Sequence, residues 1–176
     1  MCHGFVDVWK SACCKLSLVA AAMGTPVVAL PQPPTLKSQL VGAWTVVSVD
    51  AAVAGAKREL FGPSPKGFIS FDVNGRYSLA IMRQDIPRIA SNNREGGTSD
   101  ENRAIVAGSL AHFGSYTVNE KDRSITFRIE ASTFPNWTGA HQERFVTSLS
   151  DDELHWINPI STLGLGSSYL VWKRAR

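Results

Sequence analysis

Few side chains in this sequence could do chemistry, and their spacing limits what that chemistry is. His141 and Glu143 stand two apart. On a strand that spacing puts both on one face, where an imidazole beside a carboxylate can act as a general base. A solvent-facing surface pair is the plainer alternative. Gln142 and Arg144 share the opposite face. If that face looks inward, Arg144 is a buried charge. It then needs an acidic partner, such as Glu130 or Asp72, or an anionic ligand. His155 alternates with Leu154 and Trp156 and is expected on the outside. His112 is expected at a helix C-terminus, where the helix dipole favours a protonated ring. The candidate catalytic groups are therefore Arg83, Tyr116, His141 and Arg144.

Other chemistries lack their residues. There is no G-x-S-x-G, no glycine-rich phosphate loop and no metal-ligand spacing among His3, His112, His141 and His155. Hydrolase, kinase and metalloenzyme readings have no support, and no cofactor or metal is expected. The three cysteines, Cys2, Cys13 and Cys14, all precede the segment expected to fold, so neither a disulfide framework nor a thiolate metal site serves it. Eighteen basic residues against 15 acidic ones give a net charge of +3. The excess is scattered, apart from Lys173, Arg174 and Arg176, and gives no nucleic-acid footprint.

The elements that would position these groups follow from patterning. Lys10 and Lys15 precede the apolar stretch Leu16 to Leu30, and Val27 and Ala29 offer small residues before a cleavage point. That is the three-part pattern of a secretory signal peptide, too short for a membrane span. Residues 1–29 are expected to be removed and the product exported, secreted or periplasmic, without stable membrane insertion. Met23 as the true start is the alternative and implies a cytoplasmic protein. Residues 30–39, with Pro31, Pro33 and Pro34, read as an extended linker.

The remaining chain, 40–176, reads as short alternating runs between turns. Trp44 to Val49 is β-branched and expected to be buried on both faces. Phe68 to Val73 and Arg76 to Arg83 flank Asn74-Gly75, the signature of a type I′ hairpin. Asp100 to His112 is expected as a helix behind Ser99, with an imperfect capping box. Further strands are expected at Tyr116 to Asn119, Ser124 to Ser132, Ala140 to Thr147, Leu154 to Ile157 and Ser168 to Arg174. In Ser124 to Ser132, Ile125, Phe127 and Ile129 face one way, and Thr126, Arg128 and Glu130 the other. About eight strands with short sequential connections predict an all-β, up-and-down antiparallel barrel with one helix inserted mid-chain.

Several motifs sharpen this. Gly42-Ala43-Trp44 resembles the G-x-W opening of lipocalins. Phe61 to Gly67 (FGPSPKG), Met82-Arg83 with Pro87-Arg88, Phe113 to Tyr116 (FGSY), Pro135 to Gly139 (PNWTG) with Gln142 and Arg144, and Leu170 to Arg174 (LVWKR) together resemble the lipocalin-like domain family. The resemblance runs from about Leu40 to Arg174. It implies a barrel with a pocket, with Trp44 plugging the floor and Arg174 from the last strand covering it. Leu170 and Trp172 would then face inward with Arg174. Many members carry His in the strand before the P-N-W segment. This chain has Phe127-Arg128 there, so the resemblance implies no histidine-based activity.

The expected function is binding of a small apolar or amphipathic molecule inside the barrel. Phe68, Tyr77, Met82, Tyr116, Phe127, Trp137 and Trp156 are the expected ligand-binding residues. The alternatives are a cofactor-independent isomerase or cyclase in the same pocket, and a scaffold module. Asn136-Trp137-Thr138 also forms a glycosylation sequon.

Overall fold

The computed structural model describes residues 32–53, 55–160 and 166–176. The expected leader, residues 1–29, and all three cysteines lie outside the described residues. The elements are α1 (Leu36–Leu40), β1 (Gly42–Val53), β2 (Ala56–Glu59), β3 (Lys66–Phe71), β4 (Arg76–Met82), α2 (Ser99–Gly108), β5 (Ser109–Asn119), β6 (Ser124–Ser132), a 3-10 turn at Pro135–Trp137, β7 (His141–Leu149), β8 (Glu153–Asn158) and β9 (Ser168–Arg174). Neighbouring strands pair antiparallel in the order β2-β1-β3-β4-β5-β6-β7-β8-β9, and β1 also pairs with β9. The sheet therefore closes on itself. Eight strands form the barrel, and β2 is an extra strand held only along the far half of β1.

Alternation builds the walls. Ile125, Phe127 and Ile129 are buried in β6, while Arg128 and Glu130 are exposed, as their spacing predicts. The run Trp44 to Val49 departs from expectation. It is not buried on both faces: Trp44, Val46 and Val49 point in, while Val47 lies outside. A bulge between Val46 and Ser48 takes up the extra apolar residue.

Three turn and cap assignments change. The Asn74-Gly75 loop is not type I′, because only Gly75 has positive φ, at 85°. Asp72 reorganises it: its carboxylate accepts from the Asn74 N–H and its carbonyl from the Gly75 N–H. A wider turn results, with glycine in the left-handed position. α2 begins one residue early and ends four early. Thr98, not Ser99, is the N-cap, so Glu101 completes a full capping box. The Ser109 hydroxyl donates to the Ile105 carbonyl at 2.6 Å and ends the helix there. From Ser109 the chain is already strand, so His112 lies in β5 rather than at a helix terminus. Within β5, Gly114 is obligatory, since a Cβ there would lie 2.0 Å from the Arg128 carbonyl oxygen.

The closed end is sealed by side chains from several elements. Residues expected as the tail of the linker form α1, with Leu36 and Leu40 buried against the barrel. Glu120, from the β5–β6 turn, accepts from the Leu36 and Lys37 amides at the helix N-terminus. Trp44 is fully buried, and its Nε1–H donates to the Leu40 carbonyl at 2.8 Å. The Arg174 guanidinium lies 4.0 Å from the centre of the Trp44 ring and donates to the carbonyls of Gln39, Val41 and Asp151. Trp172, two residues before Arg174 on β9, is also fully buried, with its ring 5.1 Å from that of Trp156.

Trp44→Ala should cost about 3–5 kcal/mol, as deletion of a buried tryptophan does. Arg174→Ala should cost less, about 1–3 kcal/mol, through lost stacking and three unpaired carbonyls. Urea denaturation of both single variants and the double variant checks this. Additive effects would mean that the two side chains do not act as one plug.

Candidate functional site

The barrel interior changes character away from the plug. Near the closed end it is apolar and solid. Toward the other end lies a cavity of about 50 Å³. Leu79 and Ile81 of β4, Leu110 of β5, Phe127 of β6, Trp156 of β8 and Leu170 of β9 supply its apolar wall. Leu60 and Phe61, following β2, close over one side. His112, Arg144, Asn158 and Ser168 are its polar members. A wider depression of about 470 Å³ lies at the mouth, and Trp137, Arg144 and Asn158 line both spaces. Trp137 is held there by the 3-10 turn, with its ring 5.6 Å from that of His112.

Phe127 is the common contact of the ionisable groups. Its ring centre lies 4.4 Å from that of Tyr77, 6.5 Å from that of His112 and 5.7 Å from the Arg144 guanidinium carbon. The Tyr77 hydroxyl and His112 Nδ1 are hydrogen-bonded at 2.9 Å. Burial lowers the His112 imidazole to about 3, and the neighbouring Arg144 charge adds to this. Burial likewise pushes the Tyr77 phenol well up. The pair is therefore a neutral hydrogen bond inside the barrel.

Arg144 is only 6% exposed. Alternation along β7 places it inward while His141, Glu143 and Phe145 face out. Burial lowers its guanidinium to about 10, still charged at neutral pH. Its contacts are the Gln142 side-chain oxygen at 2.5 Å and the Glu143 carbonyl at 2.9 Å. The acidic partners expected for it are engaged elsewhere or distant. Glu130 pairs with Arg76 on the outer face, and Asp72 sits in the β3–β4 turn. Among the described residues no carboxylate forms an ion pair with Arg144.

The other candidates fall into three places. Phe127, Trp137 and Trp156 line the cavity, and Tyr77 touches it through His112. Tyr116 is interior but belongs to the closed end, where its hydroxyl donates to the Asp72 carbonyl at 2.8 Å. Phe68, Met82 and Arg83 are outside, and His141 is exposed at the rim of the mouth depression rather than in the inner cavity. Phe68 and Met82 are 47% and 45% exposed because Ile69 and Ile81, the alternate residues of β3 and β4, take the interior. Arg83 lies past the end of β4 and pairs with Asp85. His141 is exposed, and its expected partner Glu143 accepts from Ser124 instead. The residues missed are His112, Asn158 and Ser168. Reading the strand back from Tyr116 in steps of two through Gly114 reaches His112 and Leu110, the one signal that could have found it.

Among the described residues no cluster of three or more His, Cys, Asp or Glu could hold a metal ion, and no helix is long and apolar enough to cross a membrane.

A family model described as a lipocalin-like domain matches residues 41–175. The 4'-hydroxy-3'-methoxypropiophenone carrier protein ppsC of Aspergillus oryzae (strain ATCC 42149 / RIB 40) is 30% identical over 105 residues, covering 55% of this chain and 95% of that protein. A redesigned β-barrel of known structure is similar with a TM-score of 0.40 and 13% identity, over 81% of this chain and 96% of that one.

Two outcomes follow from the buried ionisable groups. Arg144→Met keeps the volume and removes a desolvated cation, so it should raise the unfolding free energy by about 1–4 kcal/mol in urea. A loss of stability would make Arg144 a structural strut. His112 stays neutral in the folded chain down to about pH 3, whereas a free imidazole titrates near 6.5. Between those values the unfolded chain holds the extra proton, so stability falls as pH falls through that window. His112→Gln should show a shallower acid-side decline than the parent in melts taken across the same range.

Proposed function

We propose that this chain, which belongs to the lipocalin-like domain family, binds a small amphipathic molecule in the upper half of its barrel. The observation that carries this is an interior region left unfilled. Its lining is mostly apolar, with His112, Arg144, Asn158 and Ser168 as the polar members. An apolar wall with a few convergent polar groups is what small-molecule sites look like. The inner cavity, at about 50 Å³, is smaller than such a ligand. The bound molecule would therefore place one end inside and extend past Trp137 into the mouth, whose 470 Å³ is of the usual size. The Aspergillus relative is named a carrier protein, which supports the same reading. The leader pattern of residues 1–29 supports delivery outside the cytoplasm, and N-terminal sequencing of mature protein should begin at Leu30.

A second reading is favoured by one observation. Tyr77, His112 and Arg144 bring a proton-bearing pair and a cation to one cavity. That arrangement could steer an isomerisation or cyclisation without a cofactor. Product accumulation from a bound ligand, absent in His112→Gln, would support this reading over simple carriage.

Titration with N-phenyl-1-naphthylamine, a neutral apolar dye, should show one saturable site per chain. Trp137→Ala should weaken it about tenfold or more, because a half-buried aromatic at a pocket mouth is a typical anchor. A dye response that neither saturates nor depends on Trp137 would mean the cavity is closed to ligands.

A further inference from the structure

The most expensive group in the cavity is the Arg144 guanidinium. An ion of this size is not placed in an apolar interior without a partner for its charge. A guanidinium has five N–H donors. Two of Arg144's are used, one by Gln142 and one by the Glu143 carbonyl, and both acceptors are uncharged. Phe127 faces the cation and offers only its ring. The 161–165 segment between β8 and β9 reads Ser-Thr-Leu-Gly-Leu and carries no carboxylate. Glu143, the one carboxylate at the mouth, turns outward and accepts from Ser124.

The other polar groups around the cavity are donors or can act as donors. Ser168 carries a hydroxyl, and Asn158 an amide whose oxygen already accepts from the Ile160 N–H at 3.4 Å. The indole N–H of Trp156 is buried with no partner among the described residues. A cavity that gathers donors around one cation is built for an acceptor with negative charge.

We propose that the molecule bound here is a carboxylic acid whose carboxylate pairs with Arg144, while its apolar body lies against Phe127, Trp137 and Trp156. This rests on the ligand-binding reading above. The planar fork of a guanidinium matches a carboxylate through two parallel N–H···O bonds, and such pairs are the strongest of the charge-assisted kind. Gln142, two residues earlier on the same strand, orients the fork and leaves its remaining N–H groups for the ligand. The apolar wall then selects aromatic or short acyl acids over hydrophilic ones.

Cinnamate and cinnamamide test the idea, because they share shape and differ in charge. Both are titrated by calorimetry and by tryptophan fluorescence at about pH 7.5, where a carboxylic acid is ionised. The parent protein should bind cinnamate at least about tenfold more tightly than cinnamamide. Arg144→Gln should bring the two affinities together, and Arg144→Lys should keep only part of the preference, since an ammonium has charge without the fork. If Arg144→Gln does not fold, the parent ratio and the lysine variant still decide. Equal affinity for acid and amide in the parent protein overturns the carboxylate assignment. Binding of the neutral naphthylamine without cinnamate overturns it too, and leaves the ligand-binding reading standing. Failure of all three probes to bind removes both.

Discussion

Closure of the sheet between β1 and β9 is the constraint on which the rest depends. An open meander of this length would carry two unpaired edges and no inside. Pairing from Trp44 with Arg174 to Ala51 with Ser168 removes the edges along the barrel. The same seam puts Arg174 over Trp44, so the floor is sealed by residues from the first and last strands. Once the floor is solid, any unfilled volume must lie at the opposite end. The position of the cavity is thus a consequence of where the seam is plugged.

The buried Arg144 stands in tension with that economy. Nearly all the interior obeys the usual rule that apolar side chains fill it. One cation with only neutral acceptors works against stability. Such violations tend to sit where function requires them, because a group held ready for a ligand is by definition unsatisfied without it. The neutral Tyr77–His112 pair beside it shows a different solution, in which two polar groups satisfy each other and no charge is buried.

Legibility followed alternation. β6 and β9 were readable to the residue, because each strand alternates cleanly and is bounded by turn residues. Arg144, Phe127 and Trp156 were readable for the same reason. Phe68 is aromatic, but its parity on β3 sets it outside. In β3, Ile69 and Phe71 form a wholly apolar face, whereas Phe68 shares its face with Ser70. His112 was misplaced because Ala104 to Phe113 satisfies helical and strand spacing at once. What separates them is a hydroxyl at Ser109 and a close backbone approach at Gly114, and neither is a hydrophobic pattern. β2 was invisible. All four of its residues are exposed, and only their pairing with β1 makes them a strand.

The seam also has a cost in time. Arg174 donates to the Val41 carbonyl across 133 positions of chain, so the contact that completes the barrel is among the most distant in sequence. Neighbouring hairpins can form early, since each joins adjacent segments. The first strand must wait for the last to exist before its second edge is covered. Barrels of such high contact order fold slowly, in milliseconds to seconds. During synthesis this edge of β1, with Val46 and Val49 beside it, stays open until β9 has emerged. β2 covers only the opposite edge of β1, from Asp50 to Val53, and leaves this one to β9 alone.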